Sequence, residues 1–153
     1  MILPVDNTGV VENALKNEGV YVSLTSGVSM KPLFKTHRDV VVISPPTREL
    51  RKYDVALYTY GDGRYILHRV VGVRDEVYLI RGDNTYAIER IRDSEIIGIL
   101  MEFDRGDKHY TVDNRIYKIY SVVWNAIYPI RRSFSFMRAL IFKLIFFKKR
   151  GKL

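Results

Sequence analysis

Apolar and polar residues alternate with a short period over most of the first 113 positions, and the period lengthens beyond them. Seven stretches are rich in Val, Ile, Leu and Tyr and read as strands: Val20 to Leu24, Asp39 to Ile43, Asp54 to Tyr60, Arg64 to Val73, Val77 to Ile80, Glu95 to Phe103 and Tyr110 to Val112. Turn chemistry punctuates them. Pro45-Pro46 ends the second, Gly61-Asp62-Gly63 joins the third and fourth as a hairpin, and Asp75-Glu76 reverses the chain before the fifth. Gly82-Asp83-Asn84 follows the fifth, and Arg105-Gly106-Asp107 leads into the last. Ahead of the strands, Thr8 can cap a short helix that runs to about Glu18 and stops at Gly19, with Val10, Val11, Ala14 and Leu15 on one stripe.

After Asp113 the pattern turns helical. Ile116 to Ile130 and Phe134 to Phe147 read as two helices, separated by Pro129 and Arg131-Arg132. Neither reaches the ~20 apolar residues that span a bilayer. The second is apolar nearly all round, with Arg138 and Lys143 on different faces. The expectation is a helix embedded in the headgroup region with its cations snorkelling; the alternative is a helical pair that closes the core of the body. The pattern predicts a mainly β fold with a short N-terminal helix and C-terminal helices, divided into a body over 1–113 and a basic, hydrophobic helical segment over 114–153.

Charge sharpens this division. The chain has 153 residues, enough for one domain with its own core, and its 47% hydrophobic and 27% charged residues are those of a globular protein. The net charge of +8 suggests a nucleic-acid binder until it is located. From Arg131 to the end there are eight cations and no acids; taking those eight from the total of 25 leaves 17 cations to balance 17 acids. The basicity belongs to a tail mixed with Phe, Leu and Ile, which predicts contact with a membrane surface through residues 116–153 rather than with nucleic acid. Met1 to Thr25 carries no cationic leader and no long apolar run, so the body is expected to stay where it is made. With the basic end, this favours the cytoplasmic face of a membrane. The absence of cysteine excludes disulfides, a thiol nucleophile and Cys-ligated metal. No two of the three histidines have metal-ligand spacing, so neither metal nor cofactor is expected.

Three short blocks carry candidate chemistry. Ser26-Gly27-Val28-Ser29-Met30-Lys31-Pro32-Leu33 offers a hydroxyl, Ser29, on a loop loosened by Gly27, with Met30 and Leu33 able to sink into the core and hold the loop rigid. Tyr65-Ile66-Leu67-His68-Arg69-Val70-Val71 puts a histidine on a strand, on the face it shares with Ile66 and Val70. The bland reading of such a histidine is a hydrogen-bonded core residue; the functional one is a base that titrates near ~6.5. His37, beside Arg38, is its rival, and His109 has no partner block. Gly82-Asp83-Asn84 supplies a carboxylate, either a turn aspartate bonding its own backbone or the third member of a Ser-His-Asp relay.

In this order the blocks resemble the signal peptidase I and LexA-like superfamily of serine peptidases. Ser26 to Pro32 looks like its nucleophile box, Arg38-Asp39-Val40-Val41 like the strand after it, and Tyr53-Asp54-Val55-Ala56-Leu57-Tyr58 like its Gly-Asp-Ile-Val strand, with Tyr53 in place of Gly. His68-Arg69-Val70-Val71-Gly72 looks like the box of the general base, Gly82-Asp83-Asn84 like the Gly-Asp-Asn box, and Ile97-Gly98 like the closing strand. The match runs from about Val20 to Leu100. A histidine base is similar to the archaeal and endoplasmic reticulum branch, whereas the usual bacterial enzymes carry lysine.

The resemblance implies a serine endopeptidase, with Ser29 as nucleophile, His68 as base and then acid, and Asp83 as orienter, acting on a precursor protein or peptide with small residues before the cleaved bond. Ser26, Gly27 and Met30 would support the oxyanion. The chain departs from the family pattern in having Gly27 where the bacterial box has a serine, which points to backbone N–H groups near Ser29 for the oxyanion. Neither the usual N-terminal anchor nor an inserted cap domain is expected from the pattern. Activity is expected to rise with pH near ~6.5 if His68 is the base, and only at strongly alkaline pH if Lys31 or Lys35 is. Two other readings are a catalytically inactive membrane adaptor on the same scaffold and a LexA-type self-cleaving regulator; the latter needs a DNA-binding region and an Ala-Gly bond, whereas the N-terminal helix stands alone and no Ala-Gly pair occurs.

Overall fold

The computed structural model of the protein describes residues 9–61 and 63–138. A nine-residue helix, α1 (Val10–Glu18), precedes an antiparallel sheet of eight strands. These are β1 (Tyr21–Leu24), β2 (Val40–Ser44), β3 (Val55–Thr59), β4 (Tyr65–Arg74), β5 (Val77–Arg81), β6 (Glu89–Arg92), β7 (Ile96–Arg105) and β8 (Lys108–Thr111). Their lateral order is β1-β2-β7-β3-β4-β5-β6, with β8 paired to the far end of β7. The mainly β architecture with a short leading helix and C-terminal helices is the one the sequence pattern predicts.

The seven strands read from the pattern are all present, with ends moved by one or two residues at most positions. The eighth, β6, is not legible in the pattern. Of Glu89-Arg90-Ile91-Arg92 only Ile91 is buried, so an edge strand looks like a charged loop. The Thr8 cap, Asp62 of the hairpin turn and everything past 138 lie outside the described residues.

Because side chains alternate along each strand, the curled sheet encloses one core and leaves a second on its opposite face. Leu57, Leu67 and Leu100 point to the first, together with Val11 and Leu15 of α1 and Phe34 of the loop after β1. Ala56, Tyr58, Val70, Ile80 and Ile99 point to the second, with Ile91 of β6. Bulges interrupt the β3–β7 ladder between Leu57 and Tyr58 and the β4–β5 ladder between Val70 and Gly72; both increase local twist near the candidate site.

The C-terminal segment divides earlier than its sequence suggests. Helix α2 (Arg115–Ala126) starts at Asn114, whose side chain accepts hydrogen bonds from the Ile116 and Tyr117 backbone N–H groups. The break falls at Ile127, and α3 is helical over 128–138. Pro129 therefore lies in the first turn of α3, where its missing N–H is no loss, and Arg131 and Arg132 are helical rather than a linker. Residues 139–147 of the second predicted helix lie outside the described residues. On α2, Tyr117 and Ser121 are buried against the body, while Ile116, Ile119 and Val123 face outward, Ile116 at 70% exposure. The body is thus met by one face of α2 and, on α3, by Tyr128 and Arg131. Among the described residues, no helix is long and apolar enough to cross a membrane.

Candidate active site

Strand β4 separates two neighbouring side chains that do different work. His68 projects to the second core and Arg69 to the opposite face, as the period of two requires. Both are buried, Arg69 completely.

Ser29 lies in the loop between β1 and β2. The base of this loop is tied off by backbone hydrogen bonds from Thr25 to Asp39 and from His37 to Thr25, and by the Thr25 hydroxyl donating to the Lys35 carbonyl at 2.8 Å. The Asp39 carboxylate accepts from the Lys35 N–H at 2.7 Å and pairs with Arg38. Met30, Leu33 and Phe34 are buried in the first core and clamp the loop from below. Gly27 turns the chain at φ +85°, a left-handed conformation natural to glycine, and its carbonyl accepts from the Thr36 hydroxyl. Ser26, half-buried, precedes it; among the described residues no hydrogen bond joins its hydroxyl to His68.

This loop brings the Ser29 Oγ to 2.8 Å from His68 Nε2. On the other side of the ring, His68 Nδ1 lies 3.2 Å from the Tyr58 hydroxyl and 3.3 Å from Glu89 Oε1. Tyr58 donates to Glu89 Oε2 at 2.5 Å. Burial pushes the imidazole below its ordinary value of 6.5, and the Glu89 carboxylate only partly offsets this. Burial alone would raise the Glu89 carboxyl, but its bonds to His68 and Tyr58 outweigh that and hold it below the ordinary value. Tyr58, buried and bonded to Glu89, is held protonated far above the usual phenol range.

Small residues flank the ring. Ala56 is the direct cross-strand partner of His68 on β3. On the other side, where Val70 pairs with Ile80, Gly82 follows two residues further along the same face. A Cβ on Gly82 would stand 2.7 Å from the Ser29 carbonyl oxygen and 3.0 Å from both His68 Nε2 and Ser29 Cβ. Only glycine leaves room here for the Ser29–His68 pair.

The structure places Asp83 elsewhere than the Ser-His-Asp expectation does. Its carboxylate is engaged bidentately by Arg69, at 2.8 Å from Nε and 2.9 Å from Nη2, and it accepts from the Tyr120 hydroxyl at 2.9 Å. Arg69 projects from the face of β4 opposite His68, so the carboxylate that answers it is drawn to that face. Among the described residues, no hydrogen bond joins Asp83 to His68, and the groups at Nδ1 are Tyr58 and Glu89. Arg69 also donates to the Tyr53 carbonyl, to the Tyr117 hydroxyl and, at 2.8 Å, to Ser121 Oγ. The Asp83 carbonyl accepts from Trp124 Nε1 at 2.9 Å and Arg131 Nη2 at 2.6 Å. Asp83 is the point at which both C-terminal helices are tied to the sheet. Its neighbour Asn84 donates its backbone N–H to the Ser29 carbonyl at 2.7 Å, so one turn braces the nucleophile loop and the helices together.

The remaining candidates lie apart. His37 is exposed at φ +56°, and His109 is exposed between Asp104 and Glu102. Lys31 and Lys35 are both exposed. Tyr58, Gly82 and Arg69 stand in the sequence blocks without a role of their own, and Glu89 stands in none. Tyr58 carried one usable signal, since on β3 it shares a face with Ala56 two residues away. Glu89 carried none, because β6 itself was unread. Among the described residues, no cluster of His, Asp or Glu has the makings of a metal site. No protein-family model matches the chain, and no curated protein matches it.

Proposed function

We propose that the chain is a serine endopeptidase of the signal peptidase type that cleaves a precursor protein or peptide. The observation that carries this reading is the 2.8 Å approach of Ser29 Oγ to His68 Nε2, a buried base held neutral near pH 7. Ser29 Oγ attacks the scissile carbonyl as its proton passes to His68 Nε2. The imidazolium returns that proton to the leaving amine as the C–N bond breaks. Water, deprotonated by the same nitrogen, then hydrolyses the acyl-serine. Backbone N–H groups of the turn around Ser29 are the candidates for the oxyanion, with Gly27 and Met30 fixing that turn. Tyr53 also supports the family reading: it adopts φ +81°, a conformation suited to glycine, at the position where the resembled family carries glycine.

The substrate reaches the protein at a membrane surface in this reading. Ile116, Ile119, Val123, Ile130, Phe134 and Met137 are exposed on α2 and α3. No acidic residue follows Asp113, while Arg132, Arg138 and the cations of the remaining sequence do. An apolar stripe on an acid-free segment suits an anionic bilayer.

Cleavage tests the proposal. Parent protein and Ser29→Ala are each mixed with a pool of small-residue-rich precursor peptides, with and without anionic vesicles, and products are read by mass spectrometry. Cuts made by the parent alone support the reading. Cuts by both variants, or by neither with vesicles bound, overturn it in favour of another nucleophile or of the adaptor.

Two further results are expected on any peptide so identified. The value of kcat/KM should rise with pH through a midpoint below 6.5 and then stay level through neutrality. Only the neutral imidazole accepts the Ser29 proton, so depressing its pKa extends activity toward acid; this replaces the expectation of a rise at ~6.5. A rise confined to alkaline pH would point to a lysine base. Gly82→Ala should lower kcat by about 10²-fold, because displacements near 1 Å in a reacting pair cost that much. A near-parental rate for Gly82→Ala would show that the Ser29–His68 approach does not limit turnover.

A further inference from the structure

We infer that Tyr58 and Glu89 together orient the His68 imidazole and fix which ring nitrogen carries its proton. The inference rests on the peptidase reading for its functional meaning, but the proton arrangement follows from the contacts themselves. Glu89 is ionised and can only accept hydrogen bonds. Tyr58 has one proton, which it gives to Glu89 Oε2 at 2.5 Å. The Tyr58 oxygen, 3.2 Å from His68 Nδ1, is then left to accept, as is Glu89 Oε1 at 3.3 Å. Both partners of Nδ1 are acceptors, so Nδ1 bears the hydrogen. Nε2 is left with its lone pair, and it faces the Ser29 hydroxyl at 2.8 Å. A general base needs this tautomer; the other would present an N–H to the nucleophile.

The arrangement also answers the charge that forms during reaction. When Nε2 takes the Ser29 proton, the imidazolium lies beside a carboxylate that is already in place and largely shielded from water, with side-chain exposures of 7% for His68 and 23% for Glu89. That attraction strengthens as the ring becomes charged, so it favours the transition state over the ground state. Three strands supply the parts. His68 comes from β4, Tyr58 from β3 and Glu89 from β6, which sits two places from β4 at the edge of the sheet. Among the described residues, Asp83, from the turn after β5, also reaches the ring with its field, and its carboxylate is occupied by Arg69. Tyr58 and Glu89 are positioning residues: they act through His68.

The full chain, labelled with ¹³C and ¹⁵N in its histidines, reports this by nuclear magnetic resonance. His68→Ala assigns the His68 signals against those of His37 and His109. In the parent, His68 should be the Nδ1–H tautomer. Glu89→Gln should lower the titration midpoint of His68 and admit the Nε2–H form, because the amide can donate to Nδ1. Tyr58→Phe, which keeps the ring in the core, should also mix the tautomers. On a cleaved peptide, Glu89→Gln should reduce kcat by roughly 10²- to 10⁴-fold, the range for loss of an orienting acid–base partner, with KM changed far less. An Nε2–H parent, or a Glu89→Gln spectrum with parental tautomer and midpoint, overturns the inference. So does a tautomer that responds to Asp83→Asn but not to Glu89→Gln. If no peptide is cleaved by the parent, the peptidase reading fails, and the spectra still decide what orients His68.

Discussion

Ser29→Ala is expected to reduce kcat/KM on the order of 10³-fold or more, and His68→Ala by a similar factor. The two residues form one device. Without the hydroxyl there is nothing for the base to deprotonate, and without Nε2 the hydroxyl is an alcohol with an ordinary, very high pKa. The Ser29→Ala, His68→Ala double variant should therefore be no slower than the worse single variant. Steady-state kinetics on the identified peptide, with thermal melts of the same samples, checks this. The pair makes little of the core, which Met30, Leu33 and Phe34 anchor nearby, so Ser29→Ala should melt close to the parent. Multiplying rather than saturating losses in the double variant would show that the residues act separately and would remove the basis of the mechanism.

Asp83→Ala is expected to destabilise the fold by roughly 3–5 kcal/mol, the cost of stranding a buried charge. At about 2–4 °C per kcal/mol for a domain of this size, the melting temperature should fall by about 6–20 °C. Arg69 is wholly buried, and its Nε and Nη2 are directed at Asp83. Burial alone would push the guanidinium pKa down, but the Asp83 carboxylate outweighs this and the net shift is upward; without that partner the guanidinium still stays charged, because arginine starts so far above neutrality. The same deletion takes the acceptor from Tyr120 and loosens the turn whose carbonyl holds Trp124 and Arg131. Helices α2 and α3 should then become more susceptible to protease than the sheet. Arg69→Met combined with Asp83→Leu should recover a large part of the loss, because a matched apolar pair leaves no orphaned charge. A parental melting temperature for Asp83→Ala would show that the Arg69–Asp83 pair does not hold the helices.

The outcomes expected for Asp83→Ala and Glu89→Gln assign opposite characters to two carboxylates. Asp83 stands in a block that reads as a relay aspartate, and Glu89 in a stretch that reads as nothing. The difference arises from β4. His68 and Arg69 are adjacent, and an extended chain sends them to opposite faces. Asp83 lies near enough to answer either, and it answers the guanidinium, which presents a fork matched to a carboxylate and, among the described residues, forms its ion pair with Asp83. His68 is left to the groups on its own face.

Much was determined locally and was legible in the sequence. The alternation in Tyr65 to Val73 set the faces of His68 and Arg69, the Gly and Asp turns set the strand ends, and Met30 and Leu33 marked the buried side of the Ser29 loop. Those features depend on neighbours along the chain, where backbone geometry has a fixed period. The tertiary structure alone decided lateral neighbours. The order β3-β4-β5-β6 brings Tyr58 and Glu89 to one ring, the packing of α2 brings Tyr117, Tyr120 and Ser121 to Arg69, and the return of the chain at Gly82 closes the Ser29–His68 gap. Period tells which face a side chain occupies; it is silent on which distant strand, helix or turn will lie against that face, because that choice is made by the packing of the whole sheet.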